Sequence, residues 1–415
     1  MGRSKCINCR SSELEKFIDL GTQPNGNNFP AVGEEKSEPL FPISMVVCRG
    51  CWQVQIDEFP PQEFLFSDHP YITGVNVPIV EHFNRLAARI VERLSLPKNS
   101  LVMDIGCNDG TLLRVFQGLG MRTLGVDPGK RTGELARQQG TTVLETFWNR
   151  RTGEALRTVN LKPDVITATA VFYHLPDLHD FIEGLDAVFH DETVFVIQCV
   201  NLRDLLERNQ FDHFYHEHSC IHAIAPLDRL FREHRMRLLD VEFLEVHGGS
   251  FVLYVGREKH PMPTRPSIKQ ALLEEEKHGL HDIDTYRRFA VRARDNAAAL
   301  RKLLTDLKEK GKRVFALGAP VKGNTLLNYA RITPDLVDCA TEVNQFKIGR
   351  LTPGTHIPIV HEKDVKQPPD YYLILSWNFL EYLIAKYKGF LLAGGKFIVP
   401  VPDVRVLGLD SVRGS

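Results

Sequence analysis

The chain has no apolar run approaching the roughly 20 residues that a membrane-spanning helix requires. Its first residues, MGRSKCIN, lack the apolar core of a secretory signal, so a cytoplasmic protein is expected. Gly2 does not make a myristoylation signal, because Cys6 stands where that signal carries Ser or Thr. Charge of one sign is missing too: 51 basic against 52 acidic residues leave a net charge of −1. That balance offers no electrostatic basis for nucleic acid or an anionic membrane as a partner. No internal repeat stands out. What is present is 415 residues, 43% hydrophobic and 25% charged, the makeup of a soluble globular protein of two or three domains.

Cysteine is scarce, with eight in the chain, but four of them fall in two pairs, Cys6-Ile-Asn-Cys9 and Cys48-Arg-Gly-Cys51. Such an arrangement places four thiolates around one tetrahedral ion, each pair presented by a tight turn. Zinc fits best, since soft sulfur ligands suit it in a reducing compartment. The alternatives are a redox CxxC or two disulfides. Neither pair opens a thioredoxin-like helix, and nothing suggests secretion. With all four ligands from protein, the ion's role is structural: it closes a loop-rich segment too small to build a core alone. Cys107, Cys199, Cys220 and Cys339 are scattered and read as packed residues.

A dinucleotide loop is absent in one telling respect. Leu101-Val102-Met103 reads as a buried strand that passes into Asp104-Ile105-Gly106-Cys107-Asn108-Asp109-Gly110 and then a helix with apolar Leu112, Leu113, Val115 and Phe116. Where GxGxxG has its second glycine stands Asn108, followed by Asp109, an acid that would repel a pyrophosphate. A second strand ends on Asp127, placed to accept both hydroxyls of a ribose. S-adenosylmethionine has no phosphate and carries a positive sulfonium. The spacing resembles motif I of class I methyltransferases, with Asp104, Gly106 and Gly110 on matching positions. The expected donor contacts are Asp104, Gly106, Asn108, Gly110 and Asp127. Phe147, at the next strand end, falls where that class often contacts adenine.

Between the cysteines and this loop lies an aromatic stretch, Phe64 to Asn76, containing Tyr71, and then a helix expected from about Pro78 to Leu94. Beyond Asp127, strands are expected at Asp164–Thr169 and Thr193–Gln198. Ligands gather at the carboxyl ends of strands in a doubly wound sheet, so His174 and Gln198 are expected to line the cleft. Phe211-Asp212-His213-Phe214-Tyr215-His216-Glu217-His218 is dense in acids, bases and donors. It lacks the HExxH helical pair, and metal, surface and catalytic readings all stay open on chemistry alone. In a regular strand, Tyr215 and Glu217 would share one face.

The combination resembles the deoxysugar C-methyltransferase family, which acts on nucleotide-linked 4-keto-6-deoxy sugars. The motifs that carry it are the two cysteine pairs, DIGCNDG, FDHFYHEH, His247-Gly248-Gly249-Ser250, Gly318 to Asn324 and Leu351 to Pro358, in the family's order over nearly the whole chain. The resemblance implies a zinc module, a methyl-donor domain and a C-terminal Rossmann-like domain. It puts the family's tyrosine-any-glutamate-histidine signature on Tyr215, Glu217 and His218, its upstream tyrosine on Tyr71, and a further histidine on His174. Asn25 departs from the family's Leu, and the family has Pro near Gln345.

In the C-terminal third, helices are expected from Ser267 to Lys310, broken around Gly279. A strand, Arg313–Gly318, then runs into a helix at Asn324–Tyr329, with Glu342 where a Rossmann fold carries its acid. Lys322 is a plausible diphosphate partner, and Asn324, Trp377 and Asn378 are candidate substrate contacts. The expected architecture is α/β: a zinc-binding module over 1–66, a class I methyltransferase domain over 67–260, and a helical linker with a second Rossmann-like, nucleotide-sugar-binding domain over 261–415. The expected activity moves a methyl group from S-adenosylmethionine to a carbon, C-3 in this reading, beside the ketone of a nucleotide-linked keto-sugar, with His218 as base. Oxygen or nitrogen methylation, or nucleotide-sugar binding without turnover, are the rivals. The oligomeric state is left open.

Overall fold

The strand Leu101–Ile105 is flanked on both sides by other strands, which is why all but its first residue are buried. It pairs in parallel with Arg122–Asp127 on one side and Val165–Thr169 on the other. The sheet runs to seven strands, in the spatial order Met236–Leu244, Ser250–Arg257, Val194–Val200, Val165–Thr169, Leu101–Ile105, Arg122–Asp127, Val143–Glu145. Ser250–Arg257 is antiparallel to both neighbours and forms a hairpin with Met236–Leu244. The other strands are parallel and linked by helices, as right-handed crossovers require. This computed structural model describes residues 3–66 and 71–409. The part of the aromatic stretch from Ser67 to Pro70 lies outside the described residues.

A second, six-stranded sheet has the order Ile359–His361, Cys339–Glu342, Val314–Leu317, Tyr371–Ile374, Lys396–Val399, Arg405–Leu407. Five strands are parallel. At the edge Arg405–Leu407 turns back antiparallel to Lys396–Val399. The linker is two helices, Pro266–Lys277 and Ile283–Glu309, with Gly279 at φ +69° in the break. The long helix buries Phe289, Ala293, Ala297, Leu300 and Leu304, a stripe at helical spacing.

The N-terminal sheet joins Leu14–Pro24, Leu40–Cys48 and Val54–Ile56 to a strand from far along the chain, Cys220–Ile221. Val54 pairs with Ile221 and Gln55 with Cys220. The Gln53 amide donates to the Ile221 carbonyl at 3.0 Å, and the Ile56 N–H donates to the Ser219 carbonyl at 2.9 Å. One continuous core of buried side chains runs from Phe17 through Phe172 and Phe214 to Ile398. No helix among the described residues is long and apolar enough to cross a membrane.

Helices Arg150–Thr158 and Leu178–Val188 cross at two glycines. A β-carbon on Gly153 would lie 2.2 Å from the Gly184 carbonyl oxygen, a backbone atom that cannot swing aside. Gly153→Ala is expected to destabilise the protein by about 1–3 kcal/mol, the usual cost of overpacking, read as a lowered midpoint in urea unfolding.

Candidate functional site

Three residues of the loop after Leu101–Ile105 adopt positive φ: Gly106 at +73°, Asn108 at +51° and Gly110 at +74°. Gly110 caps the helix Thr111–Gly118 through its backbone. Two of the loop's three non-glycine side chains hold the segment ahead of helix Val77–Arg93. Asn108 accepts the Thr73 N–H at 2.9 Å and donates to the Tyr71 carbonyl at 3.1 Å. Asp109 accepts the Gly74 N–H at 2.9 Å. A β-carbon on Gly74 would lie 2.6 Å from that carboxylate, so only glycine fits. The acid that argued against a phosphate therefore positions the Tyr71 segment.

Asp127 ends its strand facing the loop. One carboxylate oxygen accepts the Asn108 N–H and the other the Gly129 N–H, both at 2.8 Å. The oxygen that takes the Gly129 N–H also accepts the Thr132 hydroxyl at 3.2 Å, which fixes the carboxylate at the cavity wall. Asp104 lies behind: it is buried against Thr167 at 2.5 Å, and burial raises its carboxyl to about 7.

A cavity of about 600 Å³ opens between this loop, the carboxyl ends of the neighbouring strands and the C-terminal sheet. Tyr71, Gly106, Asn108, Asp127, Phe147, His174, Tyr215, Glu217, His218, Lys322, Glu342 and Asn378 line it. Five expected site residues stand off its wall, for identifiable reasons. Asp104 and Gly110 serve the loop as described. Gln198 bonds the His82 ring at 2.6 Å, since alternation along the strand turns its side chain toward the helix Val77–Arg93. Asn324 donates to the Gly26 carbonyl at 2.7 Å. Trp377 lies beneath Lys322, whose ammonium sits 3.8 Å from the ring centre, and donates to Asp212 at 2.6 Å.

Residues 211–218 do not form a strand. A 3₁₀ turn, Phe211–His213, runs into irregular backbone, so the alternation expected of Tyr215 and Glu217 does not apply. Three histidines that sequence alone could not rank are sorted by their surroundings. His216 bonds the Phe41 carbonyl at 3.0 Å, away from the cavity. His213 and His218 line the cavity. His218 Nδ1 lies 2.7 Å from the His213 carbonyl, so Nδ1 carries the proton and Nε2 holds a lone pair. Among the described residues, none hydrogen-bonds that Nε2. Burial, with the neighbouring His174 and His213, holds the His218 ring well below the usual imidazole range. Tyr215 packs against it, with ring centres 3.9 Å apart. His174 Nδ1 meets the Glu217 carbonyl at 2.7 Å, and Asn27 donates to the Glu217 carboxylate at 2.7 Å.

On the opposite wall, Lys322 bonds Asn378. Burial pushes its ammonium down to about 8 despite Asp212 nearby. Glu342 accepts backbone N–H groups from Ala319, Val343 and Asn344. The sequence reading passed over Asn27 and Lys347 on this wall; their only signals were a polar Asn-Gly-Asn-Asn turn and a lone loop lysine. His247 was noticed as part of a motif without a role.

At the far N-terminal edge, Cys6, Cys9, Cys48 and Cys51 bring their sulfurs within 4.8 Å of one another. Cys6 and Cys51 sulfurs are 3.6 Å apart, Cys9 and Cys48 sulfurs 3.5 Å. A tetrahedral ion with Zn–S bonds of about 2.3 Å spaces its sulfurs about 3.8 Å apart, so the residues fit zinc. The two knuckles match: the residue after each pair, Arg10 and Trp52, has φ +62°.

Three family models match the chain: a zinc binding domain over residues 6–66, a methyltransferase domain over 79–239, and a C-methyltransferase C-terminal domain over 245–402. The C-methyltransferase NovU of Streptomyces niveus is 32% identical over 411 residues, 98% of this chain and 97% of that protein. This chain belongs to the C-methyltransferase family. Solved structures align with less of it. Magnesium protoporphyrin IX methyltransferase (ChlM) from Synechocystis, with bound S-adenosylmethionine, is 16% identical and covers 43% of this chain and 79% of its own, with a TM-score of 0.33. An S-adenosylmethionine-dependent methyltransferase from Clostridium acetobutylicum is 13% identical and covers 43% and 92%, with a TM-score of 0.35. This C-methyltransferase uses S-adenosylmethionine as donor and carries a structural zinc at its four cysteines. Elemental analysis should find one zinc ion per chain. Cys48→Ser should lose most of it and melt at a lower temperature.

Proposed function

We propose that this enzyme methylates the carbon beside the ketone, C-3, of a nucleotide-linked 4-keto-6-deoxy sugar. The observation that carries the reading is His218 on the cavity wall, its Nε2 without a hydrogen-bond partner among the described residues while Nδ1–H is held by the His213 carbonyl. Methylating carbon requires a base, because the carbon is not nucleophilic until its proton leaves. His218 takes that proton at Nε2, and the electron pair of the broken C–H bond moves into the ketone to give an enolate. Tyr71, Tyr215, His174 and Glu217 surround the same space and orient the sugar or stabilise the enolate. When bound, S-adenosylmethionine would supply an electrophilic methyl group to the enolate carbon, its methyl–sulfur bond breaking to leave neutral S-adenosylhomocysteine. Asp127 holds the donor's ribose, with Asn108, Gly106 and Phe147 lining its pocket. Lys322 meets the acceptor's diphosphate, with Glu342 and Asn378 beside it. The reading further places the enzyme in the cytoplasm, where free thiols remain available to zinc.

His218→Ala should lose about 10²–10⁴ in kcat while both ligands still bind. In D₂O with the keto-sugar and S-adenosylhomocysteine, the wild type should exchange the α-hydrogen and the variant far more slowly. Near-wild-type turnover of the variant to a C-methylated product would move the base elsewhere. The pH profile follows from the same groups. A lowered imidazole pKa keeps His218 unprotonated through neutrality, so the acid limb of kcat/KM should fall below about pH 6.5. Lys322 loses its charge as pH rises through about 8, so the alkaline limb should begin there and vanish in Lys322→Met.

Calorimetry should separate the two walls. Asp127→Ala should weaken S-adenosylmethionine about tenfold or more. Lys322→Ala should weaken the sugar nucleotide with little effect on the donor, and the opposite pairing would overturn the assignment of subsites.

A further inference from the structure

The hairpin between Met236–Leu244 and Ser250–Arg257 turns through three consecutive residues at positive φ: His247 at +59°, Gly248 at +87° and Gly249 at +125°. The two glycines have steric reasons. A β-carbon on Gly248 would lie 2.7 Å from the Trp377 ring, and one on Gly249 would lie 2.6 Å from the Asp204 side chain. His247 is a non-glycine residue in the left-handed region, a conformation that glycine adopts without the steric penalty of a β-carbon. Its surroundings hold it there. Gly248 offers its carbonyl to Gln210 at 2.6 Å and Arg208 at 3.1 Å, and Ser250 Oγ donates to the Val246 carbonyl at 2.8 Å.

The strained residue faces the reaction space. His247 lines the same cavity as His218 and Lys322 and lies within electrostatic reach of both. Burial, with His82 and Lys322 adding to it, pushes its imidazole down to about 3. The ring is therefore neutral throughout the working range. A neutral imidazole beside a buried lysine does not remove a proton, but it donates N–H to an oxygen that is gaining charge, without itself becoming an ion.

We propose that His247 is a catalytic residue of this C-methyltransferase, donating a hydrogen bond from its neutral ring to the ketone oxygen that becomes the enolate. The assignment rests on the keto-sugar reading above. It explains why the turn keeps a side chain at a position where its geometry favours glycine.

The test uses His247→Gly, which leaves the turn's backbone conformation intact and removes the ring. Its melting temperature should equal or exceed that of the wild type, and both dissociation constants should stay within about twofold. Loss of one such donor costs roughly 10²–10³-fold in kcat. The α-hydrogen exchange in D₂O with S-adenosylhomocysteine should slow in parallel. His247→Asn tolerates positive φ and restores an N–H donor, so it should recover part of the lost rate. A His247→Gly enzyme with kcat within threefold of wild type would overturn the proposal. So would a variant whose lost rate tracks lost stability or lost donor binding, since that marks a structural role. If His247→Gly does not fold, His247→Asn decides: wild-type stability with an unchanged KM and a lowered kcat supports the role, and an unchanged kcat/KM overturns it. A wild type that neither exchanges nor methylates any nucleotide keto-sugar overturns the substrate reading, and the role of His247 with it. An active wild type with an equally active His247→Gly overturns this assignment alone.

Discussion

Two short strands, Val54–Ile56 and Cys220–Ile221, join the metal-bound end of the chain to its reaction cavity. The pairing begins two residues after His218, so the irregular backbone carrying Tyr215, Glu217 and His218 is pinned on its C-terminal side by the N-terminal sheet. The 3₁₀ turn Phe211–His213 pins it on the other. Backbone without a ladder of its own needs such outside partners, because its polar groups are buried and must be satisfied. The same sheet extends Asn27 to the Glu217 carboxylate, and Asn324 of the C-terminal unit grips the loop at Gly26. The four-cysteine end of the chain thereby braces the cavity wall that carries Glu217. A small sheet with few core residues cannot supply that bracing by burial alone.

The cavity itself is a meeting of three units, and burial sets its chemistry. Histidines that would titrate near neutrality in water are held neutral here, because an imidazolium loses its hydration on leaving solvent. Lys322 keeps its charge at neutral pH with help from Asp212 and the face of Trp377. Arg131 of the donor domain stacks on Phe346 of the C-terminal unit across the same cleft, with the guanidinium carbon 3.4 Å from the ring centre. Opposite walls thus differ in kind: one holds neutral imidazoles and phenols, the other a lysine.

Much of the local order was legible from residue patterns. Helix Val77–Arg93, the break at Gly279 and the strands around DIGCNDG follow from period, glycine placement and apolar runs, which act over a few residues. The cysteine pairs specified a four-sulfur site because ligand type and spacing are themselves local. Misplacements arose where a side chain's direction depends on distant partners. Gln198 was expected at a strand end, but the strand runs on to Val200 and His82 claims its side chain. Trp377 was expected to meet substrate and instead supports Lys322 from beneath. Asp109 looked like a statement about the cofactor and proved to hold the Tyr71 segment.

The sequence by itself determined the elements, the donor loop, the metal ligands and the list of chemically able side chains, since each depends on neighbours close along the chain. Only tertiary structure decided which of them act together. It separated His218 from His216 by giving one a carbonyl at Nδ1 and an open Nε2, and turning the other toward Phe41. It brought His247 to the cavity that Lys322, 75 residues further along the chain, also lines. It also joined strand 54–56 to strand 220–221, a pairing that no local pattern encodes. Proton affinity and hydrogen-bond geometry depend on burial and on partners distant in sequence, and these exist only once the chain has closed on itself.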